Sequence, residues 1–179
     1  MTSSASLVER LIGIVTFKAS VYREVAHDAN ALQPAAIIVL VVTLLIGVVN
    51  GLLNSALGIV GAILLAVFGA LIGWPLGSWL TAFVASKFFQ GQTNATEMLR
   101  ILGHAYVLQI PGVIPMVGGL IAFVLSIIAT VVAIREAASL DTQKAVLTAI
   151  IANVIIFVIS LILGGIIAGI TVAGTIVGG

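Results

Sequence analysis

Cysteine is absent from this chain of 179 residues, which removes disulfides, thiolate metal sites, thiol catalysis, prenylation and palmitoylation together. Charge is scarce as well. Only 7% of the residues are Asp, Glu, Lys or Arg, and seven cations against six acids leave a net charge of +1. Nucleic acid binding needs a basic field, so nucleic acid is not expected as a partner. Position 2 is Thr2 rather than glycine, which excludes N-myristoylation. Glu9, Arg10, Lys18, Arg23, Glu24 and Asp28 interrupt every early apolar run, so a cleavable signal is not expected either.

What is present is apolar. Hydrophobic residues make up 61% of the chain, and the mean hydropathy of +1.34 lies far above that of water-soluble domains. The expectation is an all-α integral membrane protein. Apolar runs able to cross a bilayer cover residues 34–53, 57–89, 98–116, 118–138 and 145–172. The second is about 50 Å long as one helix, more than a hydrocarbon core of about 30 Å, and Pro75 stands within it as a kink or break. Charge placement decides against dividing it. With five crossings, Arg10, Lys18, Arg23, Lys87, Arg100, Arg135 and Lys144 all fall on one side, as do all six acids. The expected N-terminus is cytoplasmic and the C-terminus lies opposite. A re-entrant hairpin of the third and fourth runs would leave this count unchanged, so that alternative stays open.

Residues 1–31 read as a cytoplasmic interfacial segment and 32–179 as the membrane domain. Ser6 with Glu9 forms a capping-box pattern. Leu7, Val8, Leu11, Ile12 and Val15 then recur on one side, as in a helix lying among lipid headgroups. Asn94 with Glu97, and Asp141, are further candidate caps. Asn94-Ala95-Thr96 matches a glycosylation pattern, but a cytoplasmic position would leave it unmodified.

Helix association in lipid depends on close backbone approach, which small residues four apart allow. Gly47 and Gly51, then Gly69, Gly73 and Gly77, then Gly165, Gly169 and Ala173 supply that spacing, either for packing within the bundle or for a partner subunit. Pro111 and Pro115 with Gly118 and Gly119 read as the turn between the third and fourth runs.

Two stretches resemble the Yip family, five-span proteins named for binding Ypt/Rab GTPases, and particularly its short bacterial branch. They are "LIGIVTFKASVYREVAHDANALQPA" and "EMLRILGHAYVLQIPGVIPMVGGLIAFVLSIIATVVAIREAASLDTQKAV". The first has an aromatic-Arg-Glu element and an acid before span one. The second has the Arg-x-x-Gly opening, helix-ending prolines, and a Glu-x-x-x-Leu loop leading to Lys-Ala. The resemblance implies five spans, a cytoplasmic N-terminus, no known catalysis and binding to other membrane proteins. The Asp-Leu-Tyr-Gly-Pro motif of eukaryotic members is missing, and their usual Gly-Tyr is Gly103-His104 here, with Tyr106 two residues on. Rab binding is therefore not carried over.

His104 is the only histidine or charged-type side chain deep in any span, and an intramembrane ionisable residue is a candidate site. Three readings stand: packing through hydrogen bonds, a proton pathway, or an axial ligand to a haem or chlorin. A proton pathway lacks a second acid or base at that depth. Tyr106 and Gln109 read as bundle-facing hydrogen-bonding groups, and His27-Asp28 as a loop or cap. No nucleophile elbow, phosphate loop or metal spacing occurs. The expected function is a non-enzymatic scaffold or accessory protein in a bacterial cytoplasmic membrane, contacting lipid and other integral membrane proteins, with a homo-oligomer possible. No cofactor is required by this reading. An accessory subunit of a photosynthetic or respiratory complex, and a small channel or transporter, are the alternatives.

Overall fold

Ser6 opens the first helix with a reciprocal pair of hydrogen bonds. The Ser6 backbone N–H donates to Glu9 Oε2 at 2.7 Å, and the Glu9 N–H donates to Ser6 Oγ at 3.3 Å, satisfying two donors the helix cannot bond internally. The computed structural model describes residues 6–53 and 58–177, with side chains as far as residue 162. Within these, every regular element is helical. The two short N-terminal helices are α1 (Leu7–Val15) and α2 (Ala19–His27). A 3-10 turn at Ala29–Ala31, capped by the Asp28 carboxylate, leads into α3 (Leu32–Leu53). Then follow α4 (Gly58–Phe89), α5 (Ala95–Ala105), a 3-10 segment at Tyr106–Val113, α6 (Gly118–Ala138) and α7 (Thr142–Val177).

Four helical stretches are long and apolar enough to cross a membrane: Ala29–Leu53, Gly58–Phe89, Gly118–Ala138 and Thr142–Ile162. With this many such stretches the chain is an integral membrane protein. The long second run stays a single helix of 32 residues straight through Pro75.

The run 98–116 differs from the single helix its length predicts. Asn94 and Glu97 cap its start reciprocally, but the α-helix ends at Ala105 and the chain continues as 3-10 helix. Pro111 supplies no N–H and excludes the carbonyl four residues before it, while Pro115 repeats the disruption. The reversal is tight. Met116 sits at φ 68°, and a side chain at Gly118 would collide with the Pro111 carbonyl. Together α5 and the 3-10 segment extend about 32 Å. That length is needed, because the Gln92 N–H donates to the Ala138 carbonyl at 3.0 Å. Helices α4 and α6 therefore finish at the same end, and the segment between them must travel to the opposite end, where α6 starts.

At the shared end lies the main core. Ile14, Tyr22 and Val25 from α1 and α2 pack with Met98, Ile101 and Ile134 from α5 and α6. Alanines at 129, 133, 137 and 138 give α6 a flat face for this contact. Ser139, at φ 53°, ends α6 in the left-handed conformation, and Asp141 Oδ1 then accepts the Lys144 N–H at 2.9 Å to start α7.

Candidate functional site

The short N-terminal helices are held by ionic contacts in each of which one partner, Arg10 or Glu136, is buried. Arg10 projects from α1 and is 7% exposed. Its Nη2 donates to Glu24 Oε1 at 3.0 Å and to Asp28 Oδ2 at 2.6 Å. Burial alone would lower the Arg10 pKa, but Asp28 and Glu24 together outweigh it and raise it. The backbone N–H of Asn30, and then Arg10, hold the Asp28 carboxyl below its ordinary range. On α2, Arg23 Nη2 donates to Glu136 Oε2 at 2.6 Å, and Arg135 Nε donates to Glu136 Oε1 at 2.9 Å. Glu136 is 5% exposed, so a nearly dry carboxylate is shared by two guanidinium groups. Arg100 Nη1 adds a bond to the Ala26 carbonyl at 3.2 Å.

Arg10 thus faces inward from α1 together with Gly13 and Ile14, while Glu9 stays exposed. Leu7, Val8, Ile12 and Val15 are left outside, all exposed.

His104 lies at the inner edge of this layer, completely buried and within electrostatic reach of Arg10 and Asp28. Its Nδ1–H donates to the Arg100 carbonyl at 2.8 Å, four residues back on α5, which leaves Nε2 as the nitrogen with a free lone pair. That atom is buried without a hydrogen-bond partner. An axial ligand needs open space in front of the nitrogen for a macrocycle. His104 is not among the residues that line the clefts of about 220, 440 and 610 Å³. His27 makes the same local bond, Nδ1 to the Arg23 carbonyl at 2.8 Å. Its neighbour Asp28 is directed to Arg10 and Asn30, so the two form no dyad. Among the described residues no three His, Asp or Glu side chains gather as a metal site.

The small residues divide sharply. A Cβ on Gly47 would stand 2.8 Å from the Ile63 Cα, and one on Gly51 would stand 2.5 Å from the Ile59 Cα. Both are committed to the α3–α4 contact. Gly77 lies in ordinary contact range of Ile156 on α7. Gly69 and Gly73 have no described atom within 4 Å of a built Cβ. Gly165, Gly169 and Ala173 lie outside the described side chains. Sequence spacing did not single out Gly103, whose added Cβ would meet Ala35 at 2.7 Å and the Trp74 ring at 2.9 Å. There α3, α4 and α5 meet, and Trp74 Nε1–H donates to the Leu99 carbonyl at 3.0 Å. Pro75 follows directly after this anchor.

With this geometry in place, a family model described as Yip1 domain matches residues 12–164. The chain belongs to the Yip1 family. The match begins inside α1 and ends within α7, so it takes in the end of α1, all of α2 to α6 and the first part of α7. No curated protein matches the chain, and no solved structure does.

Beyond the His104 layer, Tyr106 and Gln109 open onto a cleft between α4, the 3-10 segment, α6 and α7. It measures about 220 Å³, and its lining includes Ser78, Thr81, Thr130 and Asn153. An adjoining cleft of about 440 Å³ shares Gln109, Ser126, Thr130 and Asn153 with it. Sequence reading reached only Tyr106 and Gln109. The rest were visible as isolated polar residues in apolar spans, and equal depth along their helices was the signal that joined them.

Proposed function

We propose that this Yip1-family protein is a non-enzymatic five-span protein of a bacterial cytoplasmic membrane that binds other integral membrane proteins through the small-residue face of α4. The observation that carries this reading is the contrast among its glycines. Gly47, Gly51 and Gly103 are filled by neighbouring helices, whereas Gly69 is exposed with no described atom near it. Exposed Leu65, Phe68 and Ile72 flank Gly69 on α4, giving a notch with apolar rims of the kind a second transmembrane helix enters.

Five crossings with a cytoplasmic N-terminus are supported by the end-to-end run of α5 and the 3-10 segment, and by the one-sided distribution of charge. The outward apolar stripe of α1, with Arg10 satisfied inside, supports a helix lying in the headgroup layer. A buried His104 with a local backbone bond supports packing rather than ligation.

The test is native mass measurement of tagged protein extracted in gentle detergent, wild type beside Gly69→Ile. The wild type should carry a stoichiometric second membrane protein. Gly69→Ile should lose at least nine-tenths of it while melting at the same temperature. A wild type that runs alone, or a variant that keeps its partner, overturns the reading.

A further inference from the structure

The polar groups of the cleft come from separate helices yet share one depth. Ser78 lies 11 residues before the end of α4, Asn153 lies 11 after the start of α7, and Ser126 and Thr130 lie 12 and 8 before the end of α6. At 1.5 Å per residue these are about 12–18 Å from the shared end, the middle of a hydrocarbon core. No water is available there from the lipid side, and each unmet polar group is costly.

Several are unmet by protein. The side chains of Gln109 and Tyr106 make no hydrogen bond within the described residues. Ser78 is completely buried beside the cleft, and its Oγ has no partner. Asn153 uses one N–H on the Ala149 carbonyl at 2.7 Å, leaving its carbonyl oxygen and second N–H. Thr130 gives its proton to the Ser126 carbonyl at 2.7 Å and keeps lone pairs to accept with.

The lining therefore offers both donors and acceptors, and no charged side chain. An anionic or cationic head would sit there unpaired in a low-dielectric medium, which disfavours phospholipid. The larger cleft is open at a rim that includes Phe123 and Ile127, both exposed. An occupant can thus keep its hydrocarbon in the bilayer while its head reaches the carboxamides.

We infer that this cleft binds the uncharged, hydroxyl-bearing head of a neutral lipid, with the chemistry of a diacylglycerol. The N–H groups of Gln109 and Asn153 donate to the ester carbonyls and to the hydroxyl oxygen, one of their carboxamide oxygens accepts the single hydroxyl proton, and Tyr106 donates to an ester. The volume of the two lobes accommodates a glycerol head with the first carbons of its chains, and this site is independent of the Gly69 surface.

The experiment is photolabelling of the full chain in nanodiscs with a diazirine-bearing diacylglycerol, followed by peptide mapping. Labelling should be saturable, concentrated on residues 106–130 and the peptide holding Asn153, and competed by unlabelled diacylglycerol but not by phosphatidylglycerol. Gln109→Leu with Asn153→Leu should reduce it at least fivefold. Because that variant removes polar groups from the bundle, the competition measurement on wild type stands by itself. Non-saturable labelling, or equal competition by phosphatidylglycerol, would mean that the cleft holds water or lipid tails without selection, and overturns the proposal. So does full labelling of a folded double variant.

Discussion

Arg10 decides how the N-terminal helices are held. A guanidinium with 7% exposure is stable there only because Glu24 and Asp28 lie against it, and removing one partner of such a set strands the others. Arg10→Leu should lower the stability of the folded protein by about 1–3 kcal/mol, read as a fall in melting temperature at neutral pH. The effect is pH-dependent with a definite sign. The folded pKa of Asp28 is depressed, first by the Asn30 N–H and then by Arg10, so its contribution is complete above the unfolded carboxylate value and is lost as pH falls through the folded one. The wild-type melting temperature should therefore begin to drop below about pH 4, and the gap to Arg10→Leu should narrow there. A gap of unchanged size at pH 3 would remove Asp28 as its source. None of this pairing was legible in the sequence. The capping boxes at Ser6 and Asn94 were, because three-residue spacing is local, whereas Arg10 meets acids 14 and 18 residues away across a turn between helices.

At the scale of the helix, the same residue type has two fates. A methyl at Gly51 would press on the Ile59 backbone, which cannot rotate away as a side chain can, and one at Gly103 would wedge Ala35 from the Trp74 ring. Gly51→Ala and Gly103→Ala should each cost about 1–3 kcal/mol by overpacking. Gly69→Ala should be neutral or gain up to about 1 kcal/mol from helix propensity. Thermal unfolding of the three variants in one detergent checks the order, and equal losses would contradict the contact geometry. Spacing of four along the chain singles out Gly47 and Gly51, which face the α3–α4 contact, since their pattern is carried by one helix. It did not reveal Gly103, whose need to be small is imposed by side chains on two other helices. The change of helix type within the third run escapes hydropathy for a related reason. Hydropathy registers 19 apolar residues, but Pro111 and Pro115 determine that only the first part is α-helical.

For the whole molecule, the path of the chain rests on one hydrogen bond and one length. Gln92 joined to Ala138 brings the ends of α4 and α6 together, so the reversal at Pro111–Gly118 must lie at the other end of the bundle. Met116 is fully exposed at that reversal. If the α5 and 3-10 segment crosses the membrane, Met116 faces the outside of the cell; if it forms a re-entrant hairpin, Met116 remains in hydrocarbon or returns inward. The native absence of cysteine makes this separable, because any introduced thiol is the only one. Met116→Cys should react with a membrane-impermeant maleimide in intact cells. Gln92→Cys, in the loop beside Ala138, should react only after the membrane is permeabilised. Labelling of Gln92→Cys alone from outside would invert the orientation and contradict the charge bias. Met116→Cys that stays silent from outside while Gln92→Cys remains protected would replace the third and fourth crossings by a hairpin. In that case Tyr106 and Gln109 would sit in the hairpin while Asn153 keeps the depth α7 gives it, and the shared level on which the cleft depends would be lost.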